Sequence, residues 1–283
     1  MLRNIKNATR ITLRFIYISE GLEEPTGIFR QARTSIGTNV KYGYETEIPL
    51  RGEWKDYSII YYGENNIERF SPPEILKAED ALIEQVFRNR KSYDPLEKVR
   101  KLGYRIETGS LKRNDIDQIY QVYRDAFTRY LFEITPETVR NLLDNEDVRV
   151  AVARDLNDQI VAIIVGEIAE IRTDLGNLKI CELSDEATLK PHRGMGLNQA
   201  CVKALIEELN NSGIDLIYQE DRACHIAVNQ QSANLGFMYA GRLNKHCVIG
   251  GDREIQEEGP YENLNVVYLP GWFNERIKRN FRK

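Results

Sequence analysis

The sequence predicts an α/β fold built on a mixed β-sheet, and three observations carry that prediction. Apolar residues recur in strand-like patterns over Val148–Arg154, Ile160–Ile171 and Leu178–Leu189. Segments with helical amphipathic spacing stand before and after this group of strands. The last of the three strands runs into a glycine-containing loop and then a helix, as expected where antiparallel pairing gives way to parallel pairing.

The first part of the chain is predicted to be a smaller α/β unit, residues 1–95. After its strands, Ser71-Pro72-Pro73-Glu74 predicts a helix start, with Ser71 as N-cap and Glu74 closing a capping box. That helix should end near Asn89–Ser92, and Tyr93-Asp94-Pro95 marks the boundary with a second domain, residues 96–283. The predicted strands of the first unit are Arg10–Ile18, Val40–Ile48 and Tyr57–Tyr62.

The second domain alternates helices and strands. Besides the three strands already named, its predicted elements are strand Tyr104–Glu107, helices Asp115–Phe127 and Pro136–Asn145, a helix carrying Leu197 to Leu209, strand Ile214–Gln219, helix Ile226–Asn234, and closing strands near Phe237–Arg242 and Asn263–Tyr268.

Composition excludes several classes of protein. The net charge is −4 and the basic residues are scattered, so no footprint for nucleic acid is predicted. The basic tail Arg276–Lys283 is the exception, and we interpret it as a solvated terminus. No apolar run approaches the ~20 residues that span a bilayer. We therefore expect a cytoplasmic protein with no membrane partner.

Cysteine and histidine usage argues against a metal site. The four cysteines form no CxxC pair, and three histidines are too few for a zinc-type spacing. Cys224 and His225 are adjacent, but chain neighbours usually point apart, so a Cys/His nucleophile is disfavoured.

The loop Arg193-Gly194-Met195-Gly196 predicts an anion site. It lies between a strand and a helix, where unpaired backbone N–H groups and the helix dipole favour negative charge. Glycines allow a phosphate to lie against the main chain, and Arg193 adds a charge-assisted contact. The spacing fits neither a Rossmann fingerprint nor a P-loop.

The strand before this loop contains a carboxylate in an unexpected place. Strict alternation puts Asp185 on the same face as Cys181, Leu183, Ala187 and Leu189. A buried unpaired carboxylate is costly, so Asp185 should have a partner, or a bulge near Ser184–Glu186 should re-aim the strand and open a cleft beside the loop.

These stretches resemble a known family. Cys181–Leu209, with Arg193, Gly196 and Asn198 on an Arg/Gln-x-x-Gly-x-Gly/Ala pattern, resembles the acyl-CoA-binding motif of the GNAT N-acetyltransferases, and Ser232–Gly241 resembles the motif that follows it. The chain is most similar to the β-lysine acetyltransferase branch. The matching positions are Gly43-Tyr44, Glu47-Ile48-Pro49, Gly52, Glu182, Asp185, Ala187, Thr188, Leu189, Arg222, Ala223, Asn229 and Glu262–Tyr268.

The resemblance implies a GNAT-like fold for residues 96–283, with residues 1–95 as a smaller unit or a degenerate half of the same fold. It implies transfer of an acetyl group from acetyl-CoA to a primary amine of a small molecule, an amino acid or β-amino acid such as β-lysine. Cofactor contacts are expected from Thr188, Leu189, Arg193, Gly194, Met195, Gly196, Leu197, Asn198, Asn229 and Ser232. Acceptor contacts are expected from Tyr130, Phe132, His246 and Asn265.

An ammonium must lose a proton before it attacks a thioester, and a carboxylate can take that proton. Glu182 is the first candidate base and Asp185 the second, with His225 as an alternative. Ser232 stands where many family members carry the tyrosine that protonates the departing thiolate, so the general acid is unassigned.

Other departures leave the acceptor open. Asn198 replaces the small residue of the motif, Lys245-His246-Cys247 replaces the branch's Asn-Asn-Thr, and Gly251–Pro260 is an insertion. Two alternatives remain: an amide-forming transferase that uses an aminoacyl-tRNA, which the missing basic surface disfavours, and a non-catalytic CoA-binding module. The oligomeric state is also open, with a homodimer as one candidate.

Overall fold

The computed structural model describes residues 12–18, 42–49, 57–64, 71–109, 115–130, 132–173, 176–247, 249 and 261–269. Within these residues ten strands form one sheet, in the order β1-β3-β2-β9-β10-β8-β7-β6-β5-β4. The strands are β1 (Thr12–Ile18), β2 (Tyr42–Pro49), β3 (Tyr57–Glu64), β4 (Arg105–Thr108), β5 (Val148–Arg154), β6 (Ile160–Thr173), β7 (Gly176–Thr188), β8 (Leu216–Arg222), β9 (Met238–Cys247) and β10 (Glu262–Leu269).

The helices of the described residues cover both faces of the sheet. They are α1 (Pro73–Arg88), α2 (Pro95–Lys101), α3 (Asp115–Ala126), α4 (Pro136–Leu143), α5 (Leu197–Leu209) and α6 (Ile226–Asn234). The strand pairs are antiparallel except β7–β8, which is parallel. The predicted mixed α/β sheet is therefore confirmed.

Each face of the sheet packs against its own set of helices. On one face, here called the α5 face, Cys181, Leu183 and Ile217 pack with Leu197 and Leu205 of helix α5. On the opposite α3 face, the sheet residues of β5, β6 and the end of β7 pack under helices α3 and α4. The same face continues across β8 and β10 as a second apolar layer. Alternation of side chains along each strand produces this division.

The N-terminal strands extend the sheet rather than forming a separate one. Strand β2 joins β9 through the pair Thr46–Gly241, and Ile48 is fully buried in the α3-face layer. Helix α1 packs on α6, where Ile83 and Val86 meet Ala233.

Two details of this N-terminal part differ from the sequence prediction. The N-cap of helix α1 is Pro72, and the Ser71 hydroxyl donates to Asn263 Oδ1 at 2.6 Å instead of capping the helix. A tertiary partner thus replaces the predicted capping box. The predicted boundary contains a further helix, α2, which starts at Pro95 with Asp94 as N-cap.

Helices long and apolar enough to cross a bilayer are absent from the described residues. The basic tail and the Gly251–Pro260 insertion lie outside them.

Candidate active site

The site is built where two parallel strands separate. Strands β7 and β8 pair from Ile180–Leu216 as far as Leu183–Gln219. Beyond that point β7 continues beside β6, and β8 continues beside β10. A cleft therefore opens between the last residues of β7 and those of β8.

A β-bulge lies at the start of the cleft. Ala187 pairs with Ile163 and Ser184 with Val165, so Asp185 and Glu186 together lie opposite Ile164. Asp185 has a left-handed φ of 51°. The predicted bulge is present, and it corrects the predicted faces: Ala187 lies in the α3-face core, whereas Cys181 and Leu183 lie in the α5-face core.

The bulge also directs main-chain groups into the cleft. The Leu189 N–H bonds to the Val161 carbonyl of β6, so the alternate residue, Thr188, turns its backbone groups toward the other side. The Thr188 carbonyl accepts a bond from Arg193 Nε at 3.0 Å. Beyond Leu183 the β7 backbone is thus no longer paired with β8, and on that side the Thr188 carbonyl is bonded to Arg193.

The glycine loop opens onto the same cleft. Gly194 and Gly196 both have a left-handed φ, of 77° and 88°, and Gly196 is the N-cap of helix α5. A Cβ at Gly194 would meet nothing within 4 Å, so that side of the loop is open. Met195 accepts a bond from the Tyr104 hydroxyl, and Leu197 is buried beneath the helix. The arrangement presents the first N–H groups of α5 to an anion.

A lysine that the sequence analysis missed stands at this helix start. A Cβ at Gly196 would come within 3.2 Å of Lys98 Nζ. Lys98 belongs to helix α2, and its ammonium lies 5.9 Å from the centre of the Tyr93 ring, whose hydroxyl donates to Gln199 of α5. The Lys98 ammonium and the positive N-terminal end of the α5 dipole repel each other. An anion bound between the ammonium and the helix would offset that repulsion.

Helix α5 is tied to β7 by side chains. Asn198 accepts a bond from the Thr188 hydroxyl at 2.7 Å and donates to Glu186 Oε1 at 2.9 Å. Glu186 Oε2 accepts from Gln231 at 2.7 Å and from Gln219 at 3.3 Å. Burial raises the pKa of Glu186, and these three amide donors oppose that shift. The Glu186 carboxylate therefore connects both strands of the cleft with α5 and α6.

Two further predicted cofactor residues are wholly buried in this cluster. Ser232 is 1% exposed and donates to Asp221 Oδ2 at 2.6 Å. Asn229 is 0% exposed, and its amide donates to the carbonyls of Arg222 and His225. Their side chains hold the β8–α6 connection together.

The α3 face of the cleft carries carboxylates. Glu182 accepts from the Tyr218 hydroxyl at 2.6 Å, and Glu167 accepts from the Ser184 hydroxyl at 2.6 Å. Asp185 is 8% exposed, and burial raises its pKa to about 6, against the opposing effect of a hydrogen bond from Tyr130. The negative charges of Glu167 and Glu182 raise it further.

An aromatic group stands beside Asp185. Tyr130 donates its hydroxyl to Asp185, and its ring lies 4.4 Å from that of Phe127 and 5.1 Å from that of Phe132. The structure thus brings two of the predicted acceptor residues, Tyr130 and Phe132, to the second candidate base. No sequence spacing indicated that contact.

The other two predicted acceptor residues lie elsewhere. His246 Nε2 of β9 is 3.5 Å from Glu220 Oε2 of β8, two strands that β10 separates. Asn265 is 0% exposed on the α5 face, where it donates to Asn229 at 2.8 Å and accepts from Arg242 at 3.1 Å.

Cys181 and Cys224 are not activated as nucleophiles. Burial raises the pKa of Cys181 to about 12 and that of Cys224 to about 11, so both thiols are protonated near neutral pH. In the part of the chain that the structure describes, no three His, Cys, Asp or Glu side chains form a group able to hold a metal ion.

No protein-family model matches the sequence, and no curated protein matches it either. Solved structures of N-acetyltransferases are similar to the chain. The ribosomal-protein-S18-alanine N-acetyltransferase of Escherichia coli is 18% identical with a TM-score of 0.46, over 59% of this chain and 94% of that protein.

Two more solved structures give similar values. NAA60 of Arabidopsis thaliana, in complex with acetyl-CoA, is 17% identical with a TM-score of 0.47, over 58% of this chain and 98% of that one. An N-acetyltransferase of Staphylococcus aureus is 14% identical with a TM-score of 0.45, over 59% and 97%. Each match spans nearly the whole of the acetyltransferase and a little under three fifths of this chain.

Proposed function

We propose that this chain is an acetyl-CoA-dependent N-acetyltransferase that acetylates a primary amine of a small cationic molecule, such as an amino acid or β-amino acid. The observation that carries the proposal is the separation of β7 from β8 at the Asp185 bulge, between a glycine loop at a helix start and a carboxylate group. An elongated acyl carrier fits such a cleft because it can pair with the free edge of β7.

The residues of the glycine loop fit the phosphates of acetyl-CoA. The left-handed Gly194 and Gly196 place no side chain of their own in front of the α5 N-terminus, while Arg193 and Lys98 supply positive charge. We propose that the Arg193–Asn198 main chain and Lys98 hold the pyrophosphate, and that the Thr188 and Leu189 segment aligns the pantetheine arm. When bound, acetyl-CoA supplies the acetyl group as a thioester.

We propose Asp185 as the general base and Glu182 as the carboxylate that attracts the ammonium. Asp185 lies beyond the last β7–β8 pair, where the two strands separate, whereas Glu182 pairs directly with Tyr218. A base with a pKa of about 6 is largely ionised near neutral pH and can still take a proton from an amine held against it. Asp185 takes one proton of the ammonium, and the amine nitrogen then forms the new bond to the acetyl carbon. The carbon–sulfur bond breaks, CoA leaves as a thiolate, and that thiolate takes up the second proton of the nitrogen as the amide forms.

The negative charge that develops on the thioester oxygen requires a donor. We propose that a β7 backbone N–H on the cleft side supplies it, since such donors are fixed before the reaction begins. Glu167, Glu182 and Asp185 favour a cationic acceptor, and the Tyr130–Phe132 pair would contact its apolar part.

Calorimetric titration with acetyl-CoA and with CoA tests the cofactor, and a thiol-release assay over a panel of amines tests the activity. We expect binding of both nucleotides, and turnover that is highest with dibasic or cationic amines. If acetyl-CoA and CoA bind tightly but none of the amines gives thiol release, the chain is a non-catalytic CoA-binding module. Binding of neither nucleotide, together with binding of aminoacyl-tRNA, would support the carrier-dependent transferase.

A further inference from the structure

The polar cluster below the cleft on the α5 face contains two carboxyl groups, Glu186 of β7 and Asp221 of β8. Asp221 is 1% exposed; Ser232 of helix α6 donates to it, and Asn265 of β10 lies opposite it in register. Arg242 of β9 donates to Asn265 rather than to Asp221. Among the described residues, the charged group that acts on Asp221 is Glu186.

Two acceptor oxygens of this cluster lack a donor among the described residues: Asp221 Oδ1 and Gln219 Oε1. Gln219 is 4% exposed and stands two residues before Asp221, on the same face of β8. Its amide nitrogen donates to Glu186 Oε2 at 3.3 Å. Buried polar atoms are nearly always hydrogen-bonded, so these two acceptors require a further donor, and a proton on Asp221 can supply it.

An ionised Asp221 would leave this cluster with an unresolved conflict. The two N–H groups of the Gln219 amide could then serve both carboxylates, but the Gln219 oxygen would still lack a donor. Turning that amide over would direct its oxygen at the Glu186 carboxylate, which cannot donate a hydrogen bond to it. A proton on Asp221 supplies a donor for the Gln219 oxygen and leaves the amide hydrogens to Glu186. Burial, and the nearby charge of Glu186, also raise the pKa of Asp221 well above its ordinary value, against the opposing effect of the Ser232 hydroxyl and the Gln219 amide.

We propose that Asp221 is protonated at neutral pH and acts as a positioning residue that orients Gln219 and, through Glu186, the first turn of helix α5. The connection runs through Glu186 to Asn198, which lies in the first turn of helix α5, within the Arg193–Asn198 segment that we assign to the cofactor phosphates. Only this last link rests on the proposed function. The protonation of Asp221 and its hydrogen-bonding arrangement with Gln219 and Glu186 do not depend on the proposed function.

The protonation is tested without cofactor. Asp221→Asn retains the donor and acceptor pattern of a protonated carboxyl, so it should fold normally. The native state of the wild type holds a proton that the unfolded chain releases, so its stability falls as pH rises from the unfolded pKa, ~3.9, toward the raised native one. Denaturant unfolding of both proteins should be measured between about pH 5 and 8. With rising pH, the unfolding constant of the wild type should increase about tenfold more per pH unit than that of Asp221→Asn, which corresponds to the release of one more proton on unfolding. Equal slopes would overturn the proposal.

The positioning role is tested with acetyl-CoA as the probe. Asp221→Asn should bind it within about twofold of wild type near neutral pH, whereas Asp221→Ala and Gln219→Met, which break the connection to Glu186, should bind about tenfold more weakly. Gln219→Met keeps the side-chain volume and serves if the alanine variant does not fold.

The unfolding experiment and the acetyl-CoA titration distinguish failure of the Asp221 proposal from failure of the proposed function. Asp221→Asn binding as weakly as Gln219→Met would overturn the role of the proton in positioning. A wild-type protein that binds no acetyl-CoA, yet shows the extra proton, would refute the proposed function and the cofactor link while retaining the protonated Asp221.

Discussion

The two faces of the sheet differ most at the cleft that both share. On the α5 face, Glu186 accepts three amide bonds, and Asp221 and Ser232 are almost fully buried. On the α3 face, Asp185 takes a single hydroxyl donor and Glu182 another, beside aromatic rings. On one face the carboxyl groups therefore hold elements together, and on the other we propose that they exchange protons.

This difference shows how one strand serves two purposes. The extra residue of the β7 bulge reverses the alternation, so that Asp185 turns to the α3 face and Glu186 to the α5 face. Consecutive carboxylates thus acquire opposite roles from their neighbours alone, because environment rather than residue type sets the behaviour of a carboxyl group.

The largest effect is expected on the α3 face. Asp185→Asn should lower turnover by ~10²–10⁴-fold, because an amide cannot accept the amine proton, while acetyl-CoA affinity stays near wild type. In the wild type the rate should fall about tenfold per pH unit below about pH 6, where Asp185 becomes protonated. Steady-state kinetics across pH measures both, and the variant should lack that acid limb.

Glu182→Gln is the matched control on the same strand. We expect it to raise KM for the cationic acceptor with a smaller loss of turnover, since Glu182 lies before the strands separate. Should Glu182→Gln lose the acid limb and Asp185→Asn keep it, the two roles are reversed.

The next effect belongs to the glycine loop. Gly194→Val and Gly196→Val should weaken acetyl-CoA binding by at least about 100-fold, ~2.7 kcal/mol. A side chain would occupy the space in front of helix α5 and could not adopt the left-handed φ without strain. Calorimetric titration measures the loss.

Gly213→Val is the control for backbone strain, because Gly213 also has a left-handed φ, of 69°, with nothing within 4 Å of an added Cβ. It follows helix α5 instead of preceding it. It should destabilise the fold but leave affinity unchanged. Equal losses of affinity in folded Gly213→Val and Gly196→Val would contradict the assignment of the loop.

Sequence patterns were sufficient for the elements whose signals are local. Strand Val148–Arg154 and helix Ile226–Asn234 have their predicted bounds, because alternation and helical spacing lie within each segment. The bulge could be anticipated because a carboxylate at Asp185 conflicted with strict alternation. Helix α2 was missed, although Asp94-Pro95 is a cap and first-turn signal.

Contacts between distant segments could not be predicted. Lys98 reaches Gly196 from a helix nearly a hundred residues earlier, and no spacing along the chain records that approach. The Glu186 cluster collects amides from three separate elements. Ser71 had a correct local cap pattern, but a tertiary bond to Asn263 replaced it.

A smaller effect tests Lys98. Lys98→Ala should weaken acetyl-CoA binding about five- to tenfold at low salt, and less at high salt, because the lost contact is an exposed charge pair. Lys101→Ala on the same helix is the control, since Lys101 pairs with Glu97 at 2.7 Å. Titrations at two ionic strengths measure both. If Lys101→Ala reproduces the loss, general surface charge rather than Lys98 is responsible.

The smallest effect concerns the hydroxyl that Tyr130 donates to Asp185. Tyr130→Phe keeps the ring between Phe127 and Phe132 but removes a hydrogen bond that lowers the pKa of Asp185. Without it that pKa should rise by about one unit, so the acid limb of the rate profile should move to higher pH. Near neutral pH the rate should fall only about two- to fivefold and recover in alkaline buffer.

Tyr123→Phe is the control, because the Tyr123 hydroxyl is buried without a partner among the described residues. It should leave the limb in place. A limb unmoved in Tyr130→Phe would mean that Asp185 is not the group whose ionisation the rate reports, and the proton-exchanging role of the α3 face would pass to Glu182.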